Sequence, residues 1–434
     1  MSPELIGVLG TVAVIVLFFL KIPIGISLII VGLLGTTLIR DWSVAFAQLG
    51  RTPFDTSSDY SLSVIPMFIL MGMVLSYTGM GQDLYRAVDR WIGHFRGGLA
   101  MATIGSSAIF SSISGSLNAT TATVAKIALP EMEKYRYKPG ISTGSVAAGG
   151  TLGILIPPSV ILILYGILTM EPIGELLISG IIPGILQILF FIITIAILVR
   201  RDPFIAPPRE RKASLSERFY ALNKTWPFIG LFLVSIGGIY LGVFTPTEAA
   251  GVGAFGALAF ALLSRKIDWQ KLKGSFNEAV RLTAFILLIV IGANLFGQFL
   301  AISRIPVQLT SYVGNLELNP YIILVLILAV LFILGCFIES LALMVITLPI
   351  VYPIITELGF DGLWFGVIMI MVVNIGALTP PLGISVYVIK GVAPDVPLNT
   401  IFRGVVPMII AMIACVVVLI IFPQLVTILP DLMN

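Results

Sequence analysis

The segment 153–169, GILIPPSVILILYGILT, places two adjacent prolines inside an apolar run long enough to cross a bilayer. Pro157 and Pro158 lack the N–H group that a helix interior needs, and their rings clash with the preceding turn. Ile156, just before the pair, is also disfavoured in the α region. The pattern predicts two half-helices with an unwound joint, whose backbone groups need protein, water or a ligand as partners in a bilayer.

A second copy of this pattern occurs at 376–392, GALTPPLGISVYVIKGV, with its proline pair displaced by 223 positions. Pro23 in LKIPIG and Pro246 in FTPTEAAG show the same displacement. The chain is therefore predicted to consist of two related halves. A kink without further role is the alternative for one such segment, but interrupted apolar segments at corresponding places in two halves indicate a transporter binding site.

The composition points to a membrane protein. Of the 434 residues, 58% are hydrophobic and 11% charged, against about 25% charged in soluble proteins. The single histidine, His94, excludes a cluster of histidine ligands, and no HExxH motif or nucleophile–base arrangement indicates an enzyme. The net charge of +3 comes from loop lysines and arginines and does not indicate a nucleic-acid partner. No cleavable signal is evident before the first apolar run.

We predict an all-α polytopic fold built from two inverted-topology repeats, 1–201 and 226–434, joined by a cytoplasmic linker at 202–225. Two apolar runs with polar centres are too long for one crossing and are interpreted as re-entrant hairpins at 98–133 and 320–357. Each repeat then has five crossings, one of them broken, and five is odd, so the second half is inverted. The ten crossings are 4–20, 22–39, 61–79, 141–169, 176–199, 226–243, 246–264, 278–301, 363–390 and 402–428.

The placement of basic residues supports this topology. With the N-terminus outside, 21 lysines and arginines fall in inside loops and three outside, as the positive-inside rule requires. Four segments mix aromatic and charged residues and are predicted to lie on the membrane surface as helices: 41–60, 80–97, 267–276 and 302–318.

The tip of the first hairpin concentrates hydroxyls and an amide at mid-membrane depth. Half-helix ends expose carbonyls that suit a small cation such as Na⁺ and amides that suit an anion. Close helix packing by small residues is the alternative. The predicted Na⁺ ligands of the first half are Ser112, Ser114, Asn118, Gly149, Gly153, Ile156 and Pro158. The predicted substrate contacts are Gly115, Ser116, Asn118, Thr120, Thr121 and Ser159, with Asn374 from the second half.

The second hairpin tip carries a carboxylate instead of the hydroxyl run. An acidic residue inside an apolar hairpin indicates function, and Glu339 is expected to balance a cation, carry a proton or accept from free amides. The predicted Na⁺ ligands of the second half are Gly335, Glu339, Gly376, Thr379 and Pro381. Glu248, at a span boundary, is expected to cap a helix. Two or more sodium sites follow from the repeat.

Four motifs, FTPTEAAGVGA, GSLNATTATVAK, GILIPPS and NIGALTPPLG, resemble the large membrane subunit of tripartite ATP-independent periplasmic (TRAP) transporters over essentially the whole chain. The resemblance implies a sodium-driven symporter for organic anions in the bacterial inner membrane, with an elevator mechanism. In that membrane the outside N-terminus predicted from the basic residues lies in the periplasm. The resemblance also implies two partners: a separate small four-helix membrane subunit and a periplasmic substrate-binding protein.

The alternatives are a stand-alone sodium–carboxylate symporter, a channel and, least supported, a membrane-embedded enzyme. The substrate stays open, since neither joint offers an intramembrane arginine as a carboxylate clamp.

Overall fold

Helices make up the regular structure of the chain. The computed structural model describes residues 1–114, 117–208, 212–316 and 318–433, with side chains omitted for Ile113 and Ser114, and this part contains no strand. The first-half helices are α1 Pro3–Phe19, α2 Ile24–Ile39, α3 Trp42–Ser57, α4 Val64–Tyr77, α5 Met80–Ile92, α6 Gly98–Ser114, α7 Leu117–Lys134, α8 Pro139–Thr151, α9 Val160–Thr169, α10 Ile173–Ser179 and α11 Ile181–Arg201.

The short helix α12 lies within the linker and begins at a capping box formed by Ser214 and Glu217. The other helices of the second half follow it. The helices from α12 onward are α12 Leu215–Asn223, α13 Trp226–Tyr240, α14 Pro246–Leu263, α15 Trp269–Ser303, α16 Ile305–Gly314, α17 Pro320–Gly335, α18 Ser340–Glu357, α19 Gly362–Leu378, α20 Ile384–Val392, α21 Leu398–Ile421 and α22 Gln424–Asp431.

Both proline-containing apolar segments are broken as the sequence predicts. α8 ends at Thr151, a 3₁₀ turn covers Leu152–Ile154, and α9 begins only at Val160. In the second half, α19 ends at Leu378 and α20 begins at Ile384. The Pro157–Pro158 and Pro380–Pro381 bonds, both cis, lie in these two joints.

The helix bounds repeat between the halves. α7 and α18 are displaced by 223 residues at both the start (117 to 340) and the end (134 to 357). α1 and α13 begin at residues 3 and 226, again 223 apart. This spacing equals that of the proline pairs. The inverted orientation of the second half stays a prediction, as do the re-entrant hairpins.

Six helical segments of the described chain are long and apolar enough to cross a membrane, or seven if the bent pair α12–α13 is one span. α18 is among them, and the two halves of each broken helix are not, because the joints shorten them. One boundary prediction is wrong: 267–276 is not a separate surface helix. α15 is continuous from Trp269 to Ser303, with Asp268 as its N-cap.

Most of the helices pack in two groups, which touch each other where α4 meets α6 and where α15 meets α18. One contains α1, α2, α4, α13, α14 and α15; the other contains α6–α9, α11 and α17–α21. Small residues permit close approach within each group. A methyl group at Gly25 of α2 would lie 2.8 Å from the Leu288 carbonyl oxygen of α15, and one at Gly404 of α21 would overlap the backbone of Gly140 in α8. We call the first group the scaffold and the second the core group.

Glu248 has the role expected of it. Its carboxylate accepts a hydrogen bond from the backbone N–H of Thr245 at 2.9 Å, and the Thr245 hydroxyl accepts from the Glu248 N–H at 3.3 Å. The conspicuous FTPTEAAG motif is thus a capping box at the start of α14.

Candidate functional site

A cavity of about 860 Å³ lies between the two helix groups, and both halves of the chain contribute to it. From the core group come the first turns of α7 and α18 and the ends of both joints. From the scaffold come the turn between α1 and α2, two residues of α4, and one face of α15 between Glu278 and Ile286. We call it the central cavity. Its size suits a small organic molecule.

Three pairs of lining residues in the core group are 223 positions apart. Asn118 and Leu341 line the central cavity from α7 and α18, and the next residues, Ala119 and Ala342, do so as well. Ile161 of α9 pairs with Ile384 of α20 in the same way. Equivalent elements of the two halves therefore meet at one place, as the sequence repeat predicts.

The first hairpin tip is described in part. Asn118 is exposed to the central cavity. The Ser112 side chain is buried and its hydroxyl donates to the Ile109 carbonyl at 2.7 Å, so only its lone pairs stay available for a cation. Gly115, Ser116 and the side chain of Ser114 lie outside the described residues.

The glycines of the first joint pack against the hairpin. A methyl group at Gly153 would lie 3.0 Å from Cβ of Ser111 in α6, and one at Gly149 would overlap the Ser107 hydroxyl. Both glycines are buried. Both glycines therefore allow close packing of helices, which is the role that the sequence offered as the alternative to ion binding.

Two threonines of α7 lie behind the first joint and are absent from the cavity lining. Thr120 and Thr121 are fully buried against the α8 end. The Thr121 hydroxyl has no hydrogen-bond partner among the described residues, which is unusual for a buried polar group. A substrate in the central cavity would not touch these two residues without a rearrangement, although a small ion behind the tip could.

The backbone around the first proline pair is partly satisfied internally. The Ile156 N–H donates to the Leu152 carbonyl at 3.0 Å. The Ser159 hydroxyl is buried, donates to the Ile154 carbonyl and accepts from the Leu162 N–H at 3.3 Å. Ser159 is thus the N-cap of α9. This side chain stabilises the joint, and Pro158 beside it is buried.

Glu339 begins α18 and lines the central cavity. Its carboxylate accepts from the Ala342 N–H at 3.3 Å, as an N-cap residue does. Of the three roles expected for it, hydrogen bonding to free amides is therefore observed. The half-buried carboxylate still faces the cavity, so balance of a cation charge or proton transfer stays open.

The second joint and second tip touch through two glycines. A methyl group at Gly376 would lie 2.5 Å from the carbonyl carbon of Gly335 and 2.9 Å from the Cys336 nitrogen. The Gly376 carbonyl accepts from the Thr379 N–H at 2.9 Å, and the Thr379 hydroxyl donates to the Ile375 carbonyl at 2.7 Å. The Thr379 hydroxyl keeps lone pairs that a cation could use. Pro381, in the same joint, is exposed.

Asn374 is fully buried behind the second tip and is absent from the cavity lining. Its Oδ1 accepts from the Ser340 hydroxyl at 3.4 Å, while its Nδ2 has no hydrogen-bond partner among the described residues. Ser340 lies in the sequence motif GCFIES but was not among the predicted site residues. Asn374 therefore holds the second tip in position and does not reach the central cavity, where a substrate would bind.

The scaffold wall of the central cavity was missed by the sequence reasoning. It includes two charged residues, Lys21 and Glu278. The Tyr77 hydroxyl, outside the lining, donates to the Glu278 carboxylate at 2.9 Å. Lys21 was predicted in an inside loop, and Glu278 is the first residue of the predicted crossing 278–301. Nothing in the local sequence distinguishes a loop lysine from one that faces a cavity formed by distant helices.

The two tips and joints offer oxygen atoms that can bind a cation. Among the described residues, no group of three or more His, Cys, Asp or Glu side chains could hold a metal. What the two tips and joints offer is carbonyl and hydroxyl oxygens, which are ligands for hard cations, beside an apolar cavity wall. Paired broken helices around one cavity define a secondary-transporter class of membrane protein.

The comparisons with known proteins identify the family. A family model described as the tripartite ATP-independent periplasmic transporter, DctM component, matches residues 11–425. The chain belongs to this family and is a large permease subunit of a TRAP transporter. The resemblance stated from the motifs is confirmed.

Similar proteins include a sialic acid TRAP transporter large permease protein of Vibrio cholerae, 32% identical with 96% of each chain covered. A C4-dicarboxylate TRAP transporter large permease protein of Pseudomonas aeruginosa is 35% identical, with 87% of this chain and 88% of that protein covered. The solved YdaH transporter of Alcanivorax borkumensis matches with a TM-score of 0.65 at 14% identity, over 88% of this chain and 90% of that one, which shows the fold alone.

Proposed function

We propose that this subunit carries a small organic acid anion across the bacterial inner membrane together with Na⁺. The observation that carries the proposal is the convergence of both hairpin tips and both proline joints on one cavity. Two half-sites related by the 223-residue displacement give two places for a cation beside a single place for a substrate.

The charges of the central cavity support cation coupling. Its described lining holds two carboxylates, Glu339 and Glu278, and one ammonium, that of Lys21. An organic anion that enters a site with excess negative charge is repelled unless cations accompany it. Sodium ions at the tips would remove this repulsion, so substrate and ion would bind better together than apart.

The division into two helix groups supports an elevator mechanism. In this proposal the core group moves as a unit against the scaffold and carries the tips and joints with it. The central cavity lies between the groups, with one wall from each. A substrate held by the tips would lose its contact with the scaffold wall as the core group moves.

The substrate class follows from the relatives. Similar proteins include transporters named for sialic acid, C4-dicarboxylate and isethionate, which are carboxylates or sulfonates. We infer a small carboxylate or sulfonate for this chain. We also infer a small four-helix membrane subunit and a periplasmic substrate-binding protein as its partners, with the N-terminus in the periplasm and the protein in the inner membrane.

A stand-alone sodium–carboxylate symporter is the alternative, and reconstitution distinguishes the two. Radiolabelled organic anions are first ranked by the thermal stabilisation they give the binding protein. Uptake of the best one is then measured in liposomes with the large subunit alone, with the small subunit added, and with the loaded binding protein added. We expect uptake only in the last case. Robust uptake of free substrate by the large subunit alone would contradict the tripartite assignment.

A further inference from the structure

A second cavity, of about 530 Å³, lies between α5 and α7 on the side predicted to be cytoplasmic. It shares no lining residue with the central cavity. We call it the basic cavity. Among the described residues that line it, only Ile127 and Ala213 are apolar. Such a lining does not suit an apolar ligand or an acyl chain.

Cationic side chains face the basic cavity from both walls. α5 contributes Arg86 and Arg90, which are four residues apart and thus on one helix face. α7 contributes Lys126 and Lys134, which are eight residues apart and also share a face. Two carboxylates, Asp89 and Glu131, line it too, and each is engaged in other interactions. Among the described lining residues, four cations against two carboxylates leave an excess of two positive charges.

These cations have little to neutralise them. Within the described chain, the side chains of Arg86, Arg90 and Lys126 form no hydrogen bond and no ion pair. A solvated surface is the ordinary explanation for single exposed charges. Here, however, four cations converge on one concave site, where like charges repel and their fields add.

A neutral histidine lies beside the cations. Burial and the positive charges of Arg218 and Lys212 lower the pKa of His94, so its ring is uncharged at neutral pH. His94 lines the basic cavity, and its buried Nδ1 has no hydrogen-bond partner in the described part of the chain. It can donate to or accept from a ligand without adding charge.

We propose that the basic cavity binds an anion that carries phosphate groups. Arginine pairs with phosphate oxygens through two N–H groups, and lysine adds a point charge. Two sources offer this chemistry at the cytoplasmic surface: the headgroup of an acidic phospholipid and a soluble phosphate compound. Either would join α5 to α7, which begins at the first hairpin tip.

The test uses two probes on the full-length protein, co-purified with its small membrane subunit. Inorganic pyrophosphate is titrated in detergent at constant ionic strength, and the thermal unfolding midpoint is recorded. In parallel, the midpoint is compared in nanodiscs of phosphatidylcholine with and without phosphatidylglycerol. The double variant Arg86→Gln/Lys126→Gln removes one cation from each wall. The control Lys273→Gln/Arg281→Gln removes the same two charges from exposed positions of α15 outside the cavity.

We expect a saturable rise of the midpoint in the wild type and the control, and at least about tenfold weaker binding in the Arg86→Gln/Lys126→Gln variant. The charge-conserving variant Arg86→Lys should bind more tightly than the double variant but more weakly than the wild type, because lysine keeps the charge and loses the paired N–H groups. Its unfolding midpoint without ligand should match that of the wild type, which shows that the fold tolerates substitution there. A response to pyrophosphate alone identifies a soluble ligand, and a response to phosphatidylglycerol alone identifies a headgroup. No response to either probe, or equal responses in the double variant and the control, would overturn the proposal.

Discussion

The close contact between Gly376 and Gly335 gives the sharpest prediction about the site. A Cβ at Gly376 would lie 2.5 Å from the Gly335 carbonyl carbon, 2.8 Å from its Cα and 2.9 Å from the Cys336 nitrogen. All three are backbone atoms, so no side-chain rotation can relieve the overlap. Ordinary contacts lie at about 3.5–4.0 Å, so Gly376→Ala must separate the two segments by about 1 Å.

Overpacking of this kind costs about 1–3 kcal/mol. Because the displaced atoms belong to the second tip, we expect the alanine variant to lose both thermal stability in detergent and uptake in reconstituted liposomes. Gly237→Ala in α13 is the control, since a Cβ there has nothing within 4 Å. It should be neutral or more stable by up to about 1 kcal/mol because alanine favours the helix. A Gly376→Ala protein with wild-type stability and uptake would refute the packing argument.

Three further predictions concern single side chains. Thr379→Val should raise the Na⁺ concentration for half-maximal uptake about ten- to a hundredfold, because a lost ligand costs about 1–3 kcal/mol. The control Thr37→Val removes the same kind of hydroxyl bond to residue i−4, in α2, and should leave this concentration unchanged. Equal sodium dependence in both variants would mean that the Thr379 hydroxyl only packs. Glu339→Gln keeps an acceptor for the α18 N-terminus but removes the charge, so the protein should fold and its uptake should depend less steeply on the Na⁺ concentration. Unchanged uptake kinetics would mean that Glu339 only caps α18. Thr245→Val removes the cap of α14, which should cost about 0.5–2 kcal/mol of stability and so lower the thermal midpoint. The sodium dependence of uptake should not change, and a shift in it would contradict a purely structural role.

The broken helices could be predicted because their cause is local. A proline pair lacks two N–H groups wherever it occurs, so the ends of α8 and α19 follow from the residues themselves. The two-half organisation was equally accessible, since one displacement relates the proline pairs and also relates α7 to α18. The start of α15 was not predicted. The lysines near its start suggested a separate helix on the membrane surface. Asp268 caps the helix before these lysines, and charges on an exposed face do not end it.

The site was predicted in part because its cavity is a tertiary feature. Of the predicted site residues, Asn118 and Glu339 line the central cavity, whereas Thr120, Thr121 and Asn374 are buried behind the tips. Sequence position alone does not tell which face of a helix turns to a cavity. The scaffold wall with Lys21 was missed for the same reason, because it is far along the chain from both tips.

Sodium dependence of uptake tests the central claim most directly. The complete system is reconstituted in liposomes, and initial uptake of the labelled anion is measured against external Na⁺, with choline replacing it at constant ionic strength and with no proton gradient. Two cation sites predict uptake that is near zero in choline and rises more steeply than linearly at low Na⁺. Equal uptake in choline and sodium would contradict sodium coupling through the paired tips and joints. Uptake in choline buffer that appears when an inward proton gradient is imposed in a parallel sample would contradict it as well.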